Sequence, residues 1–104
     1  MKVQLNTDNH IQGDELLAQH VEQVVEETLA RFGDRVGRVE VHLADVNGGK
    51  SGSGDKHCTM EARVDGHQPI AASADAENVR AAINGAAKKL LRVLDSSLGK
   101  LATH

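Results

Sequence analysis

Near the C-terminal end of the chain, cations recur at a spacing that could hold a polyanion. Arg80, Asn84, Lys88 and Arg92 follow one another at four-residue intervals, with Lys89 beside them. On a helix of 3.6 residues per turn such a row drifts slowly across the outer face. Arg and Lys donors can hold backbone phosphates there without reading a base edge. The competing explanation is a solvated helix face on which Arg92 pairs with Asp95, three residues further on. Six histidines and a single cysteine raise a second chemistry, metal binding. His57 and Cys58 are neighbours on what reads as a strand, so they point to opposite sides. The chain has no C-x-x-C and no H-x-x-x-H. A cross-strand pair such as His42 with His57 would supply two ligands where structural zinc takes four, so neither metal nor cofactor is expected.

Other motifs fail on context. Asn47-Gly48-Gly49-Lys50-Ser51 suggests a phosphate-cradling loop, yet that pattern wants glycine where Ala44 stands and a helix where a strand follows. Ser51 and Ser53 have no positioned base, and Glu26 with Glu27 fall on the exposed side of a helix. Cys58 reads as a small inward-facing thiol, a setting in which cysteines are inert. No enzyme is expected.

Composition narrows the partners. The 104 residues, 39% apolar with ten glycines besides, fit one domain spanning residues 1–104. No apolar run approaches the roughly 18 residues of a membrane span. The opening Met1-Lys2-Val3-Gln4-Leu5-Asn6 turns polar too soon for a secretory signal. A lone cysteine suits a reducing cytosol. The expectation is a cytoplasmic protein with no membrane contact and no small-molecule substrate. Phe32 is the sole aromatic residue, which leaves no platform for stacking bases. Net charge is −3, but it is unevenly spread. Residues 14–35 carry six acids and two bases, and residues 75–104 carry three acids and five bases. A nucleic-acid surface must therefore be local and lie toward the C-terminus.

The elements that would position these side chains follow from periodicity. Val3 and Leu5 alternate with Lys2, Gln4 and Asn6, a half-buried strand over 2–7. Residues 14–32 switch to a helical period, with Leu17, Val21, Val24, Thr28 and Phe32 inward, Asp14 as cap and Gly33 as stop. Strands follow at 38–43, with Val39, Val41 and Leu43 on one face, and at 57–64, with Cys58, Met60, Ala62 and Val64 on one face. Residues 45–56 read as a loop between them. A turn at Asp65-Gly66 leads to a fourth strand over 68–74. Keeping Ile70 on the face of Val64 requires a three-residue connection or a bulge, and Pro69 belongs at an unpaired edge. A final helix is expected from Asp75 or Ala76 to Leu98, capped by Asp75, with Val79, Ile83, Ala86, Leu90 and Leu94 inward. The order β-α-β-β-β-α makes an α+β two-layer sandwich. It has a parallel first crossover, an antiparallel meander and both helices on one face of a four-stranded sheet.

The stretch Pro69-Ile70-Ala71-Ala72-Ser73-Ala74, followed by Asn78-Val79-Arg80-Ala81-Ala82-Ile83-Asn84-Gly85-Ala86-Ala87-Lys88-Lys89-Leu90-Leu91-Arg92-Val93-Leu94, resembles the hibernation-promoting factor and ribosome-associated inhibitor A family. Members show a strand of the I-x-A-S-A kind and then a helix of the A-A-I-D-G-x-x-x-K-L-x-R-x-L kind. The resemblance implies a β-α-β-β-β-α fold similar to double-stranded-RNA-binding domains. It also implies binding to the small ribosomal subunit in the channel used by messenger and transfer RNA, with translation blocked in stationary phase or stress. Lys89 and Arg92 fall on the family's helix-two bases, and Lys88 and Arg80 extend that surface toward rRNA. The sequence departs from the family in two places. Glu15, Glu22, Glu26 and Glu27 line the outside of its first helix, and Asp95-Ser96-Ser97-Leu98-Gly99 stands before Lys100 where members carry a lysine-rich run. A dimerisation domain like that of the long forms is not expected, and the oligomeric state is left open. The acidic first helix motivates a rival reading, a protein-interaction module that keeps the fold without binding ribosomes.

Overall fold

The computed structural model describes residues 1–8, 11, 13–46 and 56–99. Strand β1, Lys2–Thr7, leads into helix α1, Glu15–Thr28, and a 3₁₀ segment, Ala30–Arg35. Strands β2, Val36–Asp45, β3, Lys56–Val64, and β4, Ile70–Ala76, then precede helix α2, Val79–Leu94. The chain ends its described part in a wider helical turn, Asp95–Gly99. The sheet runs β1-β2-β3-β4, with β1 parallel to β2 and the other pairs antiparallel. Both helices pack on one face, α1 beside β1, and α2 over β3 and β4 and against α1. This is the α+β two-layer arrangement expected from the order of periods.

Local chemistry explains the boundaries. The Asp14 carboxylate accepts the Leu17 N–H at 2.9 Å and so caps α1. Gly33, at φ 51, takes the left-handed conformation that ends the helical track. At the start of β2, register slips between Val36 and Arg38, so Val36 and Val39 both turn inward although they stand three positions apart. Such a bulge is what lets an odd spacing serve one face. Between β3 and β4, Gly66 at φ 78 occupies a turn closed by the His67 N–H on the Val64 carbonyl, 3.1 Å. Ala62 then pairs with Ile70, so the three-residue connection keeps Ile70 on the inner face. β4 is an edge strand, and Pro69 immediately precedes it.

Two expectations need correcting. Val21, Val25, Leu29 and Phe32 are the buried positions along the first helix and its 3₁₀ extension, while Leu17, Val24 and Thr28 are half-buried. The inward stripe is rotated because α1 packs against α2 as well as the sheet. The second helix also begins later than expected. β4 runs on to Ala76 because β3 supplies ladder partners as far as Lys56. Asn78 is the cap, its side chain accepting the Ala81 N–H at 2.8 Å. Inside, Ile83, Ala86, Leu90, Leu94 and Leu98 are fully buried against Val39, Val41, Met60 and Ala62 in one core. Gly85 allows the close approach of α2 to β4, since a Cβ there would lie 3.0 Å from that of Ala74.

Candidate nucleic-acid interface

The buried stripe of α2 fixes what its other side presents. Arg80, Asn84, Lys88, Lys89 and Arg92 are all exposed. At about 100° per residue they spread over half the circumference, opposite Ile83, Leu90 and Leu94. Val79–Leu94 contains four cations and no acid. None of the four makes a hydrogen bond or ion pair with another described residue.

Two of the three carboxylates that flank the helix are held elsewhere. Asp95 does not pair with Arg92. Arg31, in the 3₁₀ segment, takes it at 3.0 Å, while its guanidinium lies 5.6 Å over the Phe32 ring. Asp75 contacts His57 across the sheet, Oδ1 to Nδ1 at 2.6 Å. Glu77 remains exposed just ahead of the Asn78 cap. Lys88, Lys89 and Arg92 also sit in the second half of the helix, where positive charge complements the dipole. A phosphate approaching α2 therefore meets side chains free to turn toward it. Beside this surface, Glu15, Glu22, Glu26 and Glu27 on α1 are likewise exposed. The Gln23 side-chain amide donates to Glu27 at 3.2 Å, the described polar contact on that face besides the cap. Two helices of opposite sign thus lie side by side.

The open face of the sheet is polar and cross-linked. Arg63 donates to Glu40 at 3.2 Å and to Glu61 at 3.3 Å, and Arg38 donates to Gln4. His42 stands opposite Thr59 and His57 opposite Ala44, so the two histidines are diagonal neighbours rather than a facing pair. Both ring nitrogens of His57 are engaged, Nδ1 by Asp75 and Nε2 by the Thr59 hydroxyl at 3.1 Å. No group of three metal-ligating side chains occurs among the described residues. The Asp75–His57–Thr59 line has the order of a nucleophile relay and is hidden in the sequence, where Asp75 reads as a helix cap. A hydroxyl nucleophile also needs free amides for an oxyanion. β3 is an interior strand paired on both sides, so its amides are committed to the ladders. Cys58 is fully buried, and burial pushes its thiol up to about 12. The Asn47–Ser51 motif, Ser53 and Lys100 lie outside the described residues.

Comparison with known proteins accords with this architecture. Residues 6–102 match the family described as sigma 54 modulation protein / S30EA ribosomal protein. The Protein Y N-terminal domain of Thermus thermophilus has the same fold, with a TM-score of 0.73 and 16% identity over 92% of this chain and 98% of that one. A ribosomal subunit interface protein from Coxiella burnetii aligns with a TM-score of 0.59 and 15% identity over 100% of both chains. At these identities the likeness is one of fold. No curated protein sequence matches the chain.

Proposed function

The chain belongs to the sigma 54 modulation protein / S30EA ribosomal protein family, a ribosome-associated family, and from that premise we propose that it is a hibernation factor of the small ribosomal subunit. In this reading α2 lies against rRNA in the channel of messenger and transfer RNA. Arg80, Lys88, Lys89 and Arg92 hold backbone phosphates, and the folded body keeps both ligands out. Inhibition is by occupancy, so the reading calls for no reaction, cofactor or small-molecule substrate. One domain over residues 1–104 suffices, acting in the cytoplasm where ribosomes are. The observation that carries the reading is the state of charge on α2, with four cations unpaired among the described residues, no acid within the helix, and Asp75 and Asp95 each held by another side chain.

Replacing Lys88, Lys89 and Arg92 together by alanine tests it. All three are exposed, so the fold should survive while co-sedimentation with small subunits is lost. Wild-type-like binding by that variant would remove α2 from the interface. The acidic face of α1 favours a second reading, docking to a basic protein. A pull-down that nuclease leaves intact and that one protein dominates would support it, and recovery of rRNA with ribosomal proteins alone would dismiss it.

A further inference from the structure

Where both helices begin, a cleft of about 430 Å³ opens at the end of the sheet, within the range of small-ligand sites. Its floor is aliphatic, with Ile11 buried and Leu17 and Val79 half-buried. Leu16 flanks it from the first turn of α1 and is 73% exposed. It is the one apolar side chain on an outer face otherwise built of Glu15, Gln19, Glu22, Gln23, Glu26 and Glu27. Folding does not require an apolar residue there, since polar residues occupy every comparable position.

Charge around the cleft is divided. Arg80 lines it and pairs with no described residue. Lys56 also lines it but is drawn to the buried Asp45 carboxylate, 3.5 Å away. Asp14 contributes a carboxylate at the rim, fixed by its hydrogen bond to the Leu17 amide. A phosphate inside the cleft would meet Asp14. A flat, uncharged group would meet aliphatic walls and one guanidinium.

Resting on the reading that α2 lies along RNA, we infer that this cleft receives the base of one unpaired nucleotide of that RNA. Arg80 belongs both to the cationic row of α2 and to the cleft, so a strand tracking the row passes the cleft mouth. The base packs against Leu16 and Val79, with the flat side of the Arg80 guanidinium across its open face, a plane on which unstacked bases settle, while the N–H edge of the same group keeps its phosphate. The only aromatic residue, Phe32, is buried and offers no alternative platform.

Leu16→Gln and Leu16→Met, assayed as full chains on small subunits, separate this from the phosphate contacts. An apolar contact releases no counterion. Leu16→Gln should therefore weaken binding about tenfold, the order of one lost base contact, and leave the slope of log affinity against log salt unchanged. Lys88→Ala should instead reduce that slope by about 0.9. Base-specific chemical probing should show one rRNA base protected by wild type and Leu16→Met and exposed with Leu16→Gln. Equal affinity and identical base protection for Leu16→Gln and wild type would overturn the cleft assignment and leave the hibernation reading standing. Failure of the wild-type protein to bind small subunits would overturn both.

Discussion

Buried on the inner face of β3, the Cys58 thiol has no water in which to ionise. Burial moves it from 9.0 to about 12. The unfolded chain therefore releases this proton first, and the associated stability is whole below about pH 9 and lost as pH rises toward 12. The expected slope is about 1.4 kcal/mol per pH unit. The chain has no tyrosine to add a phenol titration to this window. Urea unfolding from about pH 8 to 11 should show Cys58→Ala with a flatter decline than wild type. Parallel declines would mean that the thiol is not shielded. Arg31 acts at the same scale on function. It is spent on Asp95, an exposed pair worth at most about 1 kcal/mol to the fold. Arg31→Ala should barely move the melting temperature, yet it should weaken binding to small subunits by returning Asp95 to the neighbourhood of Arg92. Unchanged affinity would show that Asp95 is too remote to matter. The sequence left the Arg92–Asp95 pairing open, because i,i+3 spacing permits it and a partner 64 positions away leaves no periodic trace.

Among the elements, strand faces were the most legible feature, since the alternation of Val39, Val41 and Leu43 against Cys58, Met60 and Ala62 admits one register with the apolar residues facing inward. Even the face of Ile70 followed from that constraint, which left a three-residue connection or a bulge to supply it. The start of α2 was not legible, because Ala71, Ala72, Ala74 and Ala76 suit strand and helix alike. Pairing with β3 decides for strand, turning Asp75 toward His57 and passing the cap to Asn78. Asn78→Ala should cost about 1 kcal/mol in denaturant unfolding, and Asp75→Ala should cost less. The reverse order would restore Asp75 as the cap. The rotated stripe of α1 was hidden for a related reason. Apolar residues at Leu17, Val21, Val24, Val25 and Leu29 allow two adjacent stripes, and contact with α2 selects the one through Val25. The cationic row was visible in full, whereas the cleft at its N-terminal end needs three elements brought together.

Across the whole molecule, the proposed function requires a chain of net charge −3 to hold a polyanion. Segregation allows it. Acids concentrate on α1, cations without a partner among the described residues on α2, and the sheet's open face binds its own charges in Arg63–Glu40 and Arg63–Glu61 pairs. At physiological salt, charges separated by more than about 8 Å are largely screened. A surface laid flat on α2 therefore feels its cations more than the carboxylates of the neighbouring helix. The proposed function then implies an orientation, with α2 toward rRNA and the outer face of α1 turned away from it. The most direct test is sedimentation of the wild-type protein with purified small subunits across a salt series. Four phosphate contacts at about 0.9 each predict a log–log slope of about −3.6, with binding strongest near about 50 mM salt. A flat salt dependence, or no binding at that low salt, would contradict the account.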